Sequence, residues 1–157
     1  MPDMLVKLYA LPETETPEQY AARTGITVRR AIGPEKLAVA EWVEKHFSKN
    51  WRSECEVAFS RQPVSCLVAV RDGKLLGFAC YDATCKGFSV RPVWTKTNGA
   101  SASASSCFAN AAGDAQRRLR IRGDRRGRSG RLLRKTAGAV VIEGSVPGVY
   151  AGMIKSS

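Results

Sequence analysis

"SCLVAVRDGKLLGFACYDA", residues 65–83, decides the fold. Two apolar runs rich in small and β-branched residues flank Asp72-Gly73. That dipeptide suits a two-residue turn in which both residues take positive φ, so the stretch reads as a β-hairpin over Cys66–Asp82.

Working outward toward the N-terminus, "WRSECEVAFSRQP" (51–63) reads as a helix ended by Pro63. "GPEKLAVAEWVEKHFSKNW" (33–51) reads as another, with Pro34 in its first turn and Leu37, Ala40, Val43 and Phe47, with nearby Trp42, at helical spacing. "GITVRRAIG" (25–33) is β-branched and bounded by glycines, a strand signal. "LPETETPEQYAART" (11–24) is polar, a loop or a weak helix, and Met4–Ala10 suits a short strand. On the C-terminal side "GAVVIEGSVPGVYAGMIK", Gly138–Lys155, reads as two strands around Ser145–Gly148. The class is α+β: a central mixed, mostly antiparallel sheet flanked by helices.

Between the hairpin and the last strands lies "NGASASASSCFANAAGDAQRRLRIRGDRRGRSGRLLRK" (98–135), a serine-alanine run followed by an arginine ladder. Leu119, Ile121, Leu132 and Leu133 are too few to form an apolar helix stripe there. Of the 25 Lys+Arg, 12 lie between Ser89 and Ala137, against 2 of the 14 Asp+Glu. The net charge of +11 therefore belongs to this segment and not to the chain as a whole.

At 157 residues and 44% hydrophobic content, the chain fits one domain, with 1–24 as an N-terminal extension and 89–134 as an anomalous stretch. No apolar run is long enough to span a bilayer, and the N-terminus has no leader pattern, so a cytoplasmic location is expected. Five cysteines form no CxxC pair and read as reduced thiols. His46 is the single histidine and no cluster has metal-site spacing, so no metal site is expected.

"RRAIGPEKLAVAEWVEKHFSKNW…VSCLVAVRDGKLLGFACYDATCKGF" resembles the N-terminal half of a Gcn5-related (GNAT) N-acetyltransferase, in which a first strand, two helices and a hairpin follow in this order. "KTAGAVVIEGSVPGVYAGMIK" resembles the family's C-terminal strand pair. The similarity covers Ile26–Phe88 and Lys135–Lys155. It implies acetyl transfer from acetyl-CoA to a primary amine on a small molecule or peptide, with a homodimer left open.

The family's Arg/Gln-x-x-Gly-x-Gly/Ala motif is absent in the printed reading. Its glycines let backbone N–H groups at a helix start approach the cofactor pyrophosphate. "RRGRSGRLL" (125–133) has the wrong glycine spacing and comes too late. By position, the pyrophosphate falls at Asn98, Gly99, Ala100, Ser101, Ala102, Ser103, Ala104 and Ser105.

A reading-frame slip would hide the motif. Read out of frame, the Trp94/Thr95 pair encodes aspartate without freedom, Asn98/Gly99 gives arginine or tryptophan, and Gly99/Ala100, Ser101/Ala102 and Ser103/Ala104 each permit glycine. The shifted stretch then permits Asp-Glu-x-Glu-Arg-Gly-x-Gly-Ile-Gly, which resembles the family's fourth strand and motif. Beyond Asp114 the other alternative frame permits a strand and a Phe-Tyr pair, and normal reading resumes near Arg134. A chain made as printed should lose the motif, the third helix's apolar face and the fifth strand, fold poorly and bind acetyl-CoA weakly or not at all. The alternative is a divergent, disordered insert.

The resemblance implies a backbone N–H on the fourth strand for the acetyl carbonyl, a base or water chain for the amine and a tyrosine acid for the leaving thiolate. The tyrosine's place falls near Leu133, and Tyr150 is a late substitute more suited to strand packing. Glu54 and Glu56 are candidates to bind the amine or act as base, against a plain solvated helix face. His46 suits a helix-end cap, and Cys80 and Cys85 suit small strand residues. A second function class takes Arg117, Arg118, Arg120, Arg122, Arg125, Arg126, Arg128, Arg131 and Arg134 at face value, as a non-catalytic domain's non-specific nucleic-acid contact. The ladder lacks interleaved aromatics for base stacking, which disfavours that partner.

Overall fold

A computed structural model describes residues 3–7, 15–86, 88–90, 93–94, 119–122, 134, 138–146 and 151–154, with backbone alone at 88–90 and 119–122. In chain order these form β1 (Asp3–Val6), α1 (Pro17–Thr24), β2 (Thr27–Arg30), a 3-10 turn (Gly33–Glu35), α2 (Lys36–His46), α3 (Lys49–Phe59), β3 (Cys66–Arg71), β4 (Lys74–Cys80), β5 (Phe88–Val90), β6 (Val93–Trp94), β7 (Leu119–Arg122) and β8 (Val140–Val141). The fold is α+β, as expected. Its strands make two four-stranded sheets, ordered β2-β3-β4-β6 and β5-β7-β1-β8. All pairings are antiparallel except β5 with β7.

The hairpin forms as read. Asp72 (φ 51°) and Gly73 (φ 70°) both take the left-handed region, and Arg71 pairs with Lys74 across the two-residue turn. Past the turn, Val70 pairs with Leu75 and Ala69 with Gly77, so Leu76 is an extra residue in β4. The bulge resets which face each side chain meets. Leu75 packs with Phe78 and Cys80 under the helices, while Leu76, Ala79 and Tyr81 face the opposite core.

Both faces of β2-β3-β4-β6 are covered. Val39 and Val43 of α2 and Cys55, Ala58 and Phe59 of α3 pack over Cys66, Val68, Phe78 and Cys80. Phe78 is fully buried, with its ring 5.8–6.2 Å from those of Trp42, Phe47 and Trp51. Leu37 is not part of this face: it is 63% exposed. It sits about 120° around the helix from Val43, and Val39, one turn before Val43, takes the buried place instead.

On the other face, Met4, Val6, Tyr20, Ile26, Val28 and Ala139 pack over Leu67, Ala69, Leu76 and Ala79. The polar stretch before residue 25 yields a definite helix because Thr16 caps it. The Gln19 N–H donates to Thr16 Oγ1 at 3.3 Å, the Thr16 N–H donates to Gln19 Oε1 at 3.0 Å, and Pro17 supplies the fixed φ of the first turn. Residues 1–24 are thus more than an appendage at two points. α1 buries Tyr20, and β1 lies between β7 and β8.

Three expectations need correction. The C-terminal strand pair is one strand among the described residues, since β8 pairs with β1 while 151–154 form no strand. The chain turns after Val141, where Ser145 Oγ accepts from the Asp3 N–H at 2.7 Å and donates to Ile142 O at 2.6 Å. The first strand ends at Val6 among the described residues, short of Ala10. The printed ladder also retains a strand, β7, which pairs with both β1 and β5. Its Leu-Arg-Ile-Arg alternation has the period of a strand, which a search for helical stripes passes over.

Candidate functional site

β6 is the fourth strand of its sheet. Trp94 pairs with Gly77 and Val93 with Phe78. Glycine is required at 77 by close approach, because a Cβ there would stand 2.8 Å from the Val93 carbonyl oxygen and 3.0 Å from the Trp94 ring. This contact fixes where β6 runs against β4. The positions expected to meet a pyrophosphate, Asn98 through Ser105, lie outside the described residues, as does Tyr150.

Glu54 and Glu56 point to different places. They stand about 200° apart around α3, so they do not share a site. Glu54 is half-buried and its Oε1 accepts from Thr84 Oγ1, just beyond β4. Glu56 Oε1 accepts from Arg52 Nε at 2.9 Å, and Arg52 Nη1 donates to Glu44 Oε2 at 2.5 Å. The two carboxylates raise the Arg52 guanidinium above its ordinary pKa, Glu56 first, and the trio fastens α3 to α2. Glu56 therefore has a structural engagement that a free amine would have to displace. His46 has the helix-end role expected of it, with Nδ1 2.8 Å from Trp42 O.

A recess of about 360 Å³ opens where α3, β3 and β4 meet, lined by Arg61, Gln62, Pro63, Ser65, Tyr81 and Asp82, with Lys86 beside them. Its walls are tied together. Tyr81 is buried, its N–H donates to Ser65 O at 3.0 Å, and its hydroxyl accepts from the Arg30 guanidinium, which also donates to Val64 O. Arg61 donates to the backbone carbonyls of Asp82 (3.0 Å) and Ala83 (3.4 Å). None of the candidate site residues read from the sequence lines this recess. Their types were ordinary there, and only the fold brings them to one place.

A second grouping also escaped the sequence. Cys55 of α3, Cys66 of β3 and Cys80 of β4 bring their sulfurs within 4.8 Å of one another in the core, a set able to hold a metal ion. The spacing 55, 66, 80 matches no metal motif, because each sulfur comes from a different element. The Cys66 thiol donates to the Leu67 carbonyl at 3.9 Å. The neighbouring thiols, Cys66 first, lower Cys55, while Cys66 and Cys80 are pushed up by the Cys55 contact and by burial. Cys85, by contrast, is half-buried and apart from the group.

Among the described residues no helix is long and apolar enough to cross a membrane. No protein-family model matches the chain, and no curated protein matches it in sequence. In structure it is similar to a GCN5-related glucosamine N-acetyltransferase region found in a fungal multi-domain GH3 β-N-acetylglucosaminidase. The TM-score is 0.64 at 7% sequence identity, over 90% of this chain and 19% of that one. At that identity the likeness shows the fold, which is GNAT-like. The chain spans about a fifth of the protein it matches.

Proposed function

We propose that this chain is an N-acetyltransferase that moves an acetyl group from acetyl-CoA to a primary amine. The observation that supports the reading is the likeness of this fold, with its sheet β2-β3-β4-β6 and α2 and α3 between the first two strands, to a GCN5-related acetyltransferase region at a TM-score of 0.64. In this reading β6 offers a backbone N–H to the acetyl carbonyl, and residues 98–105 meet the pyrophosphate. The chemistry of that run suits the group: it contains only Asn, Gly, Ala and Ser, which bring N–H and hydroxyl donors without a carboxylate or a bulky side chain.

The amine attacks the thioester carbonyl carbon, the C–S bond breaks, and the amine's proton leaves as the thiolate takes one up. The recess at Tyr81 suits the acceptor. Asp82 brings a carboxylate for an ammonium group, and Lys86 favours an acceptor with an anionic group beside its amine. Glu54, engaged with Thr84, is the remaining carboxylate candidate on α3 for moving the amine's proton.

Residues 89–134 belong to this reading as the product of a frame slip, so the printed run marks the pyrophosphate only by position, and the native protein, not a chain made as printed, is the one expected to bind acetyl-CoA. Intact mass and peptide mapping of the native protein test that point separately from function. The functional test is a thermal shift with acetyl-CoA, followed by release of free CoA with a panel of amines. Stabilisation that grows with acetyl-CoA concentration, with CoA release when an amine is added, is the expected result. No shift at any concentration, together with a salt-sensitive affinity for RNA or DNA, would sink the proposal.

A further inference from the structure

The acetyl-transfer reading leaves the buried thiols unused, since direct attack by an amine needs no cysteine nucleophile. Cys55, Cys66 and Cys80 are each at most 1% exposed. Cys66 and Cys80 are register partners at the start of β3 and the end of β4, and Cys55 comes down from α3 above them. Filling a core with small apolar residues explains one buried cysteine at a time. It does not require three sulfurs from three elements to converge within 4.8 Å.

Convergent sulfur donors suit a soft ion, and the number of donors narrows the choice. An iron–sulfur cluster takes four cysteines. Structural zinc takes four protein ligands, and no histidine or carboxylate joins the three sulfurs among the described residues. Copper(I) is a soft ion selected by thiolates, and as a d10 ion it needs no water or fourth ligand. Two metal–sulfur bonds of about 2.3 Å in line on one ion place their sulfurs roughly 4.6 Å apart, within the 4.8 Å span of this group.

We propose that Cys55, Cys66 and Cys80 form a closed thiol site for one copper(I) ion. Two thiols lose their protons and form two S–Cu bonds, and no electron is transferred. The complex then carries one net negative charge, and the third thiol stays protonated and adjacent as a hydrogen-bond donor. Ionising it as well would bury a second negative charge, which a dry core disfavours.

The test uses the full, reduced chain with Cys85→Ala and Cys107→Ala, which leaves three thiols. Copper(I) is titrated without oxygen against a chromophoric copper(I) chelator, with zinc(II) in parallel. The expected result is one copper withdrawn per chain, about two protons released, a raised Tm and X-ray absorption showing only sulfur neighbours. Cys55→Ala, added to this background, leaves two thiols without the third as hydrogen-bond donor and should weaken copper retention against the chelator, whereas Cys66→Ala/Cys80→Ala, which leaves one thiol, should lose the bound equivalent. Failure to withdraw copper overturns the proposal, as do oxygen or nitrogen neighbours at the metal or preference for zinc(II) over copper(I). These readouts hold even if Cys55→Ala does not fold.

Discussion

The two four-stranded sheets are built on opposite terms. In β2-β3-β4-β6 the first three strands have four to seven residues and follow one another through a helix pair and a two-residue turn, and only the two-residue β6 comes after a strand of the other sheet. In β5-β7-β1-β8 they have two to four residues and come from four distant parts of the chain. The first sheet has apolar cores on both faces. The second ends on β8, whose Val140 and Val141 are 50% and 37% exposed. Local signals can specify the first almost alone, whereas the second exists only once distant segments meet, and loop closure must precede any gain from its pairing.

The largest expected effect tests that contrast directly. Phe78→Ala removes the ring at the centre of the aromatic cluster and should cost ~3–5 kcal/mol, read as a lowered urea midpoint. Val141→Ala, at the rim of the second sheet, should stay within ~0.5 kcal/mol. Comparable losses at both positions would show that the second sheet carries as much of the stability as the first, and the contrast would fail.

Next in size is Gly77→Ala. The new methyl would meet the Val93 carbonyl at 2.8 Å, and backbone cannot yield as a flexible side chain does. The expected cost is ~1–3 kcal/mol, with β6 pushed off β4. Trp94, now 8% exposed, would gain water contact and its emission should move to longer wavelength in a Trp42→Phe/Trp51→Phe background. Unchanged emission would mean that the contact at Gly77 does not position β6. Because β6 leads into the residues assigned to the pyrophosphate, acetyl-CoA affinity should fall with the emission change.

What was legible in the sequence follows the same division. The hairpin was readable because Asp72-Gly73 specifies its own turn, and α2 and α3 because apolar spacing and Pro34 agree. α1 was read weakly because its signal is the cap at Thr16 and Gln19, not an apolar stripe. β7 was missed because its pattern is four residues long and its partners lie more than 100 positions away in β1 and about 30 away in β5. The second C-terminal strand was expected from the segment's character and its likeness to a family strand pair, while the hold on Ser145 depends on Asp3 at the far end of the chain. The site divides likewise. Glu54 and Glu56 were visible as residue types, and a two-residue spacing on a helix already sets them apart, but their partners Thr84 and Arg52 were not legible. The recess at Tyr81 and the thiol triad are assembled by tertiary structure, which leaves no spacing to read.

The smallest effect concerns charge at the edge of the first sheet. Arg29 of β2 donates to both oxygens of Glu35, at 2.9 and 2.5 Å, and the Ile32 N–H adds a third bond at 3.0 Å. These contacts, the Arg29 bond foremost, hold the Glu35 carboxyl down to about 2 from an ordinary value near 4.5. A depressed carboxylate stabilises the fold above its unfolded value, and that contribution disappears as pH falls from about 4.5 through about 2. The two side chains are 40% and 29% exposed, so solvent screening reduces the pair to less than ~1 kcal/mol. Glu35→Gln should therefore lower the urea midpoint slightly at pH 6 and flatten its fall between pH 4.5 and 2.5, with a smaller difference in high salt. A difference that persists unchanged at pH 2 would assign the loss to packing at the start of α2. It would also make the junction between β2 and α2, and not the ion pair, the feature that sets the first sheet's edge.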